Sequence, residues 1–122
     1  MKLLRSFAFA FNGWKICFSS EINFRIHMLF TIAALLLSIT LKITSAEWLA
    51  IIFCIAFVAA MEMTNTAIEK LCDVVQPGIH LAIKKVKDIA AGAVLLAAVC
   101  SVVIGSIIFL PKIIILMKSF YK

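Results

Sequence analysis

The stretch that decides the fold is Ile51–Lys70, IIFCIAFVAAMEMTNTAIEK, where an apolar run is interrupted first by Glu62 and then by Asn65 and Glu69, one and two helical turns further on. A carboxylate beside hydrocarbon is costly to bury, and a helix that only packs has no need of one. The placement therefore points to chemistry at the edge of a membrane. On a helical wheel Asn65, Glu69, Glu62, Asp73 and Thr66 fall within an arc of about 100°. Glu62 and Glu69 are separated by about 10 Å along the axis, too far for short side chains to grip one ion without a bend, but suited to opposite ends of a reacting group.

Outward from this stretch the chain reads as a membrane domain. It is 65% hydrophobic and 15% charged over 122 residues, against about 45–50% apolar and about 25% charged for a soluble domain. Three segments approach the roughly 20 residues that a helix needs to cross a bilayer. They run from about Ile26 to Ile43, from Trp48 to about Ile68 and from about Ile89 to Leu110. The turn Thr44-Ser45-Ala46-Glu47 is so short that the first two spans must be antiparallel neighbours. Trp48 fits the outer interfacial belt. The second helix is expected to continue through Asp73 until Gln76-Pro77-Gly78 stops it. His80 to Lys87 is the basic approach to the third span, whose opening Ala90-Ala91-Gly92-Ala93 permits close backbone approach. Pro111 is expected to mark its exit, leaving residues 112–122 as a short tail.

Ahead of the first span, Leu4, Phe7, Phe11, Trp14 and Phe18 share one helical side, while Arg5, Asn12, Lys15 and Ser19 share the other. Residues 1–20 are thus predicted to form an amphipathic surface helix lying in the interface. Asn12 and Lys15 break its apolar run and no cleavage site follows, so it reads as retained rather than as a signal sequence. Ser19 and Ser20 are expected to cap the following helix, with Glu21 as first-turn charge. Residues 21–111 then form the three-span catalytic domain.

With the N-terminus in the cytoplasm, Lys2, Arg5, Lys15, Arg25, Lys70, Lys84, Lys85 and Lys87 lie on that side, against Lys42, Lys112, Lys118 and Lys122 on the other, which favours this orientation. The formal charge of +6 suggests anionic headgroups or a phosphorylated substrate. No long basic face carries exposed aromatics, so nucleic acid is not an expected partner. Cys17, Cys54, Cys72 and Cys100 form no CxxC pair and read as small apolar fillers.

Depth separates the roles of the acids. Glu62, about four turns from Trp48, is placed just inside the cytoplasmic boundary, within reach of a lipid headgroup. Glu69 is placed at or beyond the boundary, within reach of a soluble phosphate donor. Partial burial would make Glu62 a serviceable base. Glu69 with Glu21 offers hard oxygen ligands to Mg²⁺, Lys87 with Lys84 offers countercharge to phosphate, and Asp88 can orient a lysine or bind nucleotide. Each also has a packing reading: the acids can pair with Arg25 or with Lys84, Lys85 and Lys87, His27 can bond Glu21 or a headgroup, and Asn65 can join helices. Neither GxxxxGK[ST] nor HRDxxxxN and DFG is present, which excludes a P-loop enzyme and a protein kinase.

Glu62-Met63-Thr64-Asn65-Thr66-Ala67-Ile68-Glu69 resembles the signature of the small prokaryotic diacylglycerol kinase and undecaprenol kinase family. Phe11-Asn12-Gly13-Trp14, Glu21-Ile22-Asn23-Phe24-Arg25-Ile26-His27, Asp73 and Ala82 through Leu95 agree with it, and the resemblance spans roughly Arg5 to Leu110. It implies an all-α integral membrane protein of the bacterial cytoplasmic (inner) membrane, a homotrimer of three-span subunits that uses ATP and Mg²⁺ to phosphorylate a lipid alcohol at the cytoplasmic face. By position Glu62 then resembles the catalytic base, Asn65 a polar active-site group, Glu21 and Glu69 the carboxylates that hold the metal with the ATP phosphates, and Lys87 and Asp88 the nucleotide-site pair. His27 departs from the acidic residue of the enterobacterial diacylglycerol kinases and is closer to the Gram-positive type, which includes undecaprenol kinases. A rival from another class is a non-enzymatic membrane subunit whose carboxylates stabilise an oligomer or conduct cations.

Overall fold

The computed structural model describes residues 1–122, which form four helices: α1 (Lys2–Ser20), α2 (Ile22–Leu41), α3 (Ser45–Val75) and α4 (Leu81–Phe120). The last three are long and apolar enough to cross a membrane. Only 13 of 122 residues are buried, so most of the apolar surface faces outward, as suits helices whose covering is lipid or another subunit rather than their own core.

Each junction follows from local chemistry. The α1–α2 break is a single extended residue, Glu21 (φ −116°, ψ 113°), whose N–H closes α1 on the Cys17 carbonyl at 3.0 Å. The serines do not cap α2 as expected. The Ser19 and Ser20 hydroxyls instead donate back to the Ile16 carbonyl, at 3.1 and 2.7 Å, because the break follows too closely for either to be the residue preceding α2. The next turn is three residues long and better satisfied. Lys42 closes α2 in the left-handed region (φ 50°), a conformation that costs a non-glycine residue about 1–2 kcal/mol. Thr44 then opens α3 with a capping box: its N–H donates to Glu47 Oε1 at 2.9 Å, and its hydroxyl accepts from the Glu47 N–H at 3.2 Å. Two otherwise orphaned donors are satisfied reciprocally. α3 stops at Gln76, ahead of Pro77, as read from sequence, and His80 Nδ1 caps α4 by accepting from the Ala82 N–H at 3.2 Å.

The helix reading fails at Pro111. α4 runs through the proline to Phe120, so the short tail read from residue 112 onward is helical and continuous with the third span. Proline removes one donor, and the carbonyl of Ile107, four residues earlier, loses that partner. The sequence beyond it holds no glycine to end the helix. At 40 residues α4 is about 60 Å long, twice the roughly 30 Å hydrocarbon thickness.

Antiparallel α3 and α4 make the most extensive helix pair, with α2 against both and α1 touching α2 and α3. This puts α1, the start of α2, the end of α3 and the start of α4 together at one end of the molecule. At the opposite end Ile43, Ile51 and Ile108 are buried together, with Trp48, Ile104 and Phe109 packed around them. Ala90 and Ala97 are buried on α4, whereas the side of Gly92 that lacks a Cβ opens onto free space within this chain.

Candidate active site at the end of the helical hairpin

α3 divides its polar residues between two neighbours. Glu62 and Thr66 are buried, on the side facing α1 and α2. Asn65 and Glu69, half-buried, stand at the other edge of the arc, with Asn65 lining a cavity beside Val86, Ile89 and Ala90 of α4.

Glu62 is held by a residue from α2. Its Oε1 lies 3.0 Å from His27 Nε2, and the carboxylate side chain is only 7% exposed. No other side chain lies within bonding distance of it. The sequence reading had given His27 to Glu21 or to a headgroup; the structure pairs it with Glu62. The hairpin accounts for this, since His27 lies 17 residues before Thr44 and Glu62 lies 18 after it. Antiparallel helices with the same rise per residue bring such positions level.

One turn on, Asn65 Nδ2 donates to Glu69 Oε1 at a long 3.4 Å, and Asn65 Oδ1 is buried with no partner. Buried polar atoms are bonded as a rule, so this acceptor has unused hydrogen-bonding capacity. Glu69 and Glu21 form no ion pair, and neither Arg25 nor the lysine cluster neutralises them at close range.

The basic residues are engaged on the α4 side. Lys87 Nζ donates to Asp73 Oδ1 at 2.7 Å across the α3–α4 hairpin, with Glu69 near enough to add to the attraction. Lys84 Nζ donates to Asp88 Oδ2, also at 2.7 Å, one turn away on α4. The adjacent Lys87 and Asp88 are therefore not paired with each other; each is held by a different partner. Lys85 makes no ion pair.

α1 closes the α1–α2 side of the site. Gly13 approaches Met63, whose Cε would lie 3.8 Å from an added Cβ. Cys17, read from sequence as filler, is buried facing Thr66. Burial pushes its thiol above the ordinary value; the carboxylates of Glu21 and Glu62 push it the same way, while the Thr66 hydroxyl and Lys70 oppose them. Those influences bring the end of α1, the start of α2 and the polar face of α3 to one place. No periodicity in α1 marks Cys17 for this contact, because the contact depends on how α1 folds back at Glu21.

A second cavity, of about 290 Å³ and almost wholly apolar, runs beside the site between α2, α3 and α4. His27 stands at one end, Phe30, Ala34, Cys54 and Val58 line its length, and Phe109 lies toward the other end.

Residues 8–109 match the family described as prokaryotic diacylglycerol kinase. The chain is 36% identical over 113 residues to an undecaprenol kinase of Bacillus subtilis, covering 92% of this chain and 91% of that one. It is 35% identical over 116 residues to a diacylglycerol kinase of Synechocystis, covering 94% of this chain and 66% of that one.

Proposed function

This chain belongs to the prokaryotic diacylglycerol kinase family and is a lipid kinase, and from that premise we propose that it transfers the γ-phosphoryl group of ATP to the hydroxyl of diacylglycerol or undecaprenol, with Glu62 as the base. The observation that carries the assignment is a buried glutamate whose one polar partner, His27, lines the apolar cavity, on a helix that one turn further on holds the unsatisfied Asn65 Oδ1.

The chemistry divides along α3. The lipid hydroxyl loses its proton to Glu62 as its oxygen attacks the γ-phosphorus; the bond from that phosphorus to the β,γ-bridging oxygen breaks, and its electron pair leaves on ADP. The phosphorylated lipid and ADP are released, and Glu62 returns its proton to water. Correct placement of a base within hydrogen-bond reach contributes about 10²–10⁴-fold.

The residues present fit Mg²⁺ and a nucleotide. Glu21 and Glu69 carry hard oxygen donors without internal cations, and Asn65 Oδ1 is a buried acceptor still lacking a partner. Magnesium binds through one or two carboxylates together with substrate phosphates and water, and when bound it neutralises charge on those phosphates. Asn65 holds Glu69 through its amide. Lys87 supplies positive charge beside Glu69 and is steadied by Asp73, while Asp88 and Lys84 form the outer rim of the nucleotide side.

In this reading the site faces the cytoplasm, where ATP is found, and the excess of lysine and arginine at this end supports that orientation. α1 lies in the interface with Phe7, Phe11, Trp14 and Phe18 toward the acyl chains; all four are exposed in the single chain. The working form is taken as the homotrimer that the family resemblance implies, and the outward apolar surface of α2, α3 and α4 leaves room for neighbouring copies as well as lipid. Rotational assembly lets neighbouring copies cover that surface.

The test is transfer of label from [γ-³²P]ATP with magnesium in mixed micelles, with diacylglycerol and undecaprenol supplied separately. Label is expected in at least one lipid, and their ratio names the acceptor. Label in neither lipid, from protein that remains helical and assembled, would overturn the proposal.

A further inference from the structure

We propose that His27 is the positioning residue of the phosphoryl transfer: its Nε2–H fixes the Glu62 carboxylate so that the second oxygen is presented to the lipid hydroxyl arriving from the apolar cavity. The inference rests on the lipid-kinase reading with Glu62 as base, and it assigns to α2 a part in the reaction.

Three observations carry it. Glu62 is buried and His27 is its single polar partner, at 3.0 Å, so without the imidazole the carboxylate would be buried with no hydrogen bond. The contact joins two different helices at the same height on the hairpin, so the orientation of the base depends on α2 as well as on α3. Finally, His27 lines the end of the apolar cavity, whereas Glu62 itself is nearly enclosed. An alcohol on a hydrocarbon chain lying along Phe30, Ala34 and Val58 meets the imidazole, whose Nε2 stands 3.0 Å from the carboxylate behind it.

The chemistry needs one N–H of the imidazole. With its proton on Nε2 it donates to Oε1, stabilises the ionised carboxylate and removes one of its two oxygens from competition. Oε2 then takes the hydroxyl proton while the new phosphorus–oxygen bond forms and the bond to ADP breaks. His27 neither gains nor loses a proton in the cycle. Its contribution is geometric, and a displacement of about 1 Å in a reacting group costs on the order of 10²-fold.

The experiment measures kcat, and KM for ATP and for lipid, on the full chain in mixed micelles for wild type, His27→Leu, His27→Gln, Glu62→Gln and the double variant His27→Leu/Glu62→Gln. His27→Leu is expected to lower kcat by about 10²-fold with KM for ATP changed less than about twofold, because the nucleotide side of the site does not touch it. His27→Gln, whose amide N–H reaches in the same direction, is expected to recover most of the loss. In the Glu62→Gln background His27→Leu is expected to add nothing, since no base remains to be positioned. Turnover of His27→Leu near wild type, losses that add in full in the double variant, or a glutamine variant that assembles normally yet is as slow as Glu62→Gln would each overturn the proposal. If His27→Leu does not assemble, the glutamine variant and its KM-against-kcat split decide the matter. Wild type that labels neither lipid would instead break the kinase reading beneath it.

Discussion

Glu47 and Glu62 occupy the same helix, and their surroundings are opposites. Near the α2–α3 turn, Glu47 accepts from the Thr44 N–H, lies 3.1 Å from Lys112 and sits beside the Ile43, Ile51 and Ile108 cluster. Toward the far end of α3, Glu62 has one imidazole, Glu69 has one long amide contact, Asn65 Oδ1 has nothing, and Glu21 across the α1–α2 junction has no cation. A satisfied polar group stabilises a structure and has little left to offer a ligand, whereas an unsatisfied one has free valence at the expense of stability. The two regions therefore differ in what they leave over: one end anchors the hairpin with its polar groups paired, the other keeps acceptors to spare.

Substitutions at each end should separate these roles. The largest effect is expected from Glu62→Gln, which keeps size and hydrogen bonding but not basicity: turnover falls by about 10²–10⁴-fold, KM for ATP stays near wild type, and the melting temperature in detergent does not fall. A large loss of stability with modest loss of turnover would make Glu62 a structural residue like Glu47 and abolish the contrast. Next, Glu69→Gln is expected to raise the magnesium concentration for half-maximal turnover by about tenfold or more, read by metal titration at saturating lipid. Superimposable titrations would remove Glu69 from the metal.

At the turn the effects are smaller and of the other kind. Thr44→Ala breaks the capping box and should cost about 1 kcal/mol in a denaturation experiment, with kcat unaltered where the protein is folded. The mildest effect concerns Cys17. Its raised thiol pKa means less thiolate at a given pH, so in a variant retaining Cys17 as its one cysteine, iodoacetamide labelling should begin at higher pH than for a free cysteine. Saturating magnesium and nucleotide should not accelerate it. Rapid labelling at neutral pH would show that α1 does not close over Thr66.

Much of this contrast is written in residue order. The number of spans follows from the lengths of apolar runs, the tight hairpin from the four residues around Thr44, and the polar face of α3 from helical spacing. The His27–Glu62 contact was also within reach, because equal distances on either side of Thr44 put the two level, but a level position does not say which face of α2 meets α3. The serines before Glu21 carry the composition of a cap and serve the helix behind them, since one extended residue separates α1 from α2. Pro111 misleads for a related reason: a missing donor can end a helix or merely interrupt its ladder, and the Ile, Leu and Met residues that follow favour continuation. Asp88 does hold a lysine, Lys84, as a spacing of four allows, whereas the Lys87–Asp73 pair escapes the sequence because it crosses from one helix to another.

Pro111 has one more effect, on immersion. The hydrogen bond that the Ile107 carbonyl would draw from residue 111 does not exist, and bare oxygen is poorly tolerated in oil. That turn of α4 favours a height where water or a glycerol backbone can reach it, and Lys112, tethered to Glu47 on the adjoining helix, marks the same level. Proline and ion pair together act as a float line. The spacing along the helices between this line and the Glu62 carboxylate is set by the chain itself rather than by the thickness of the surrounding bilayer.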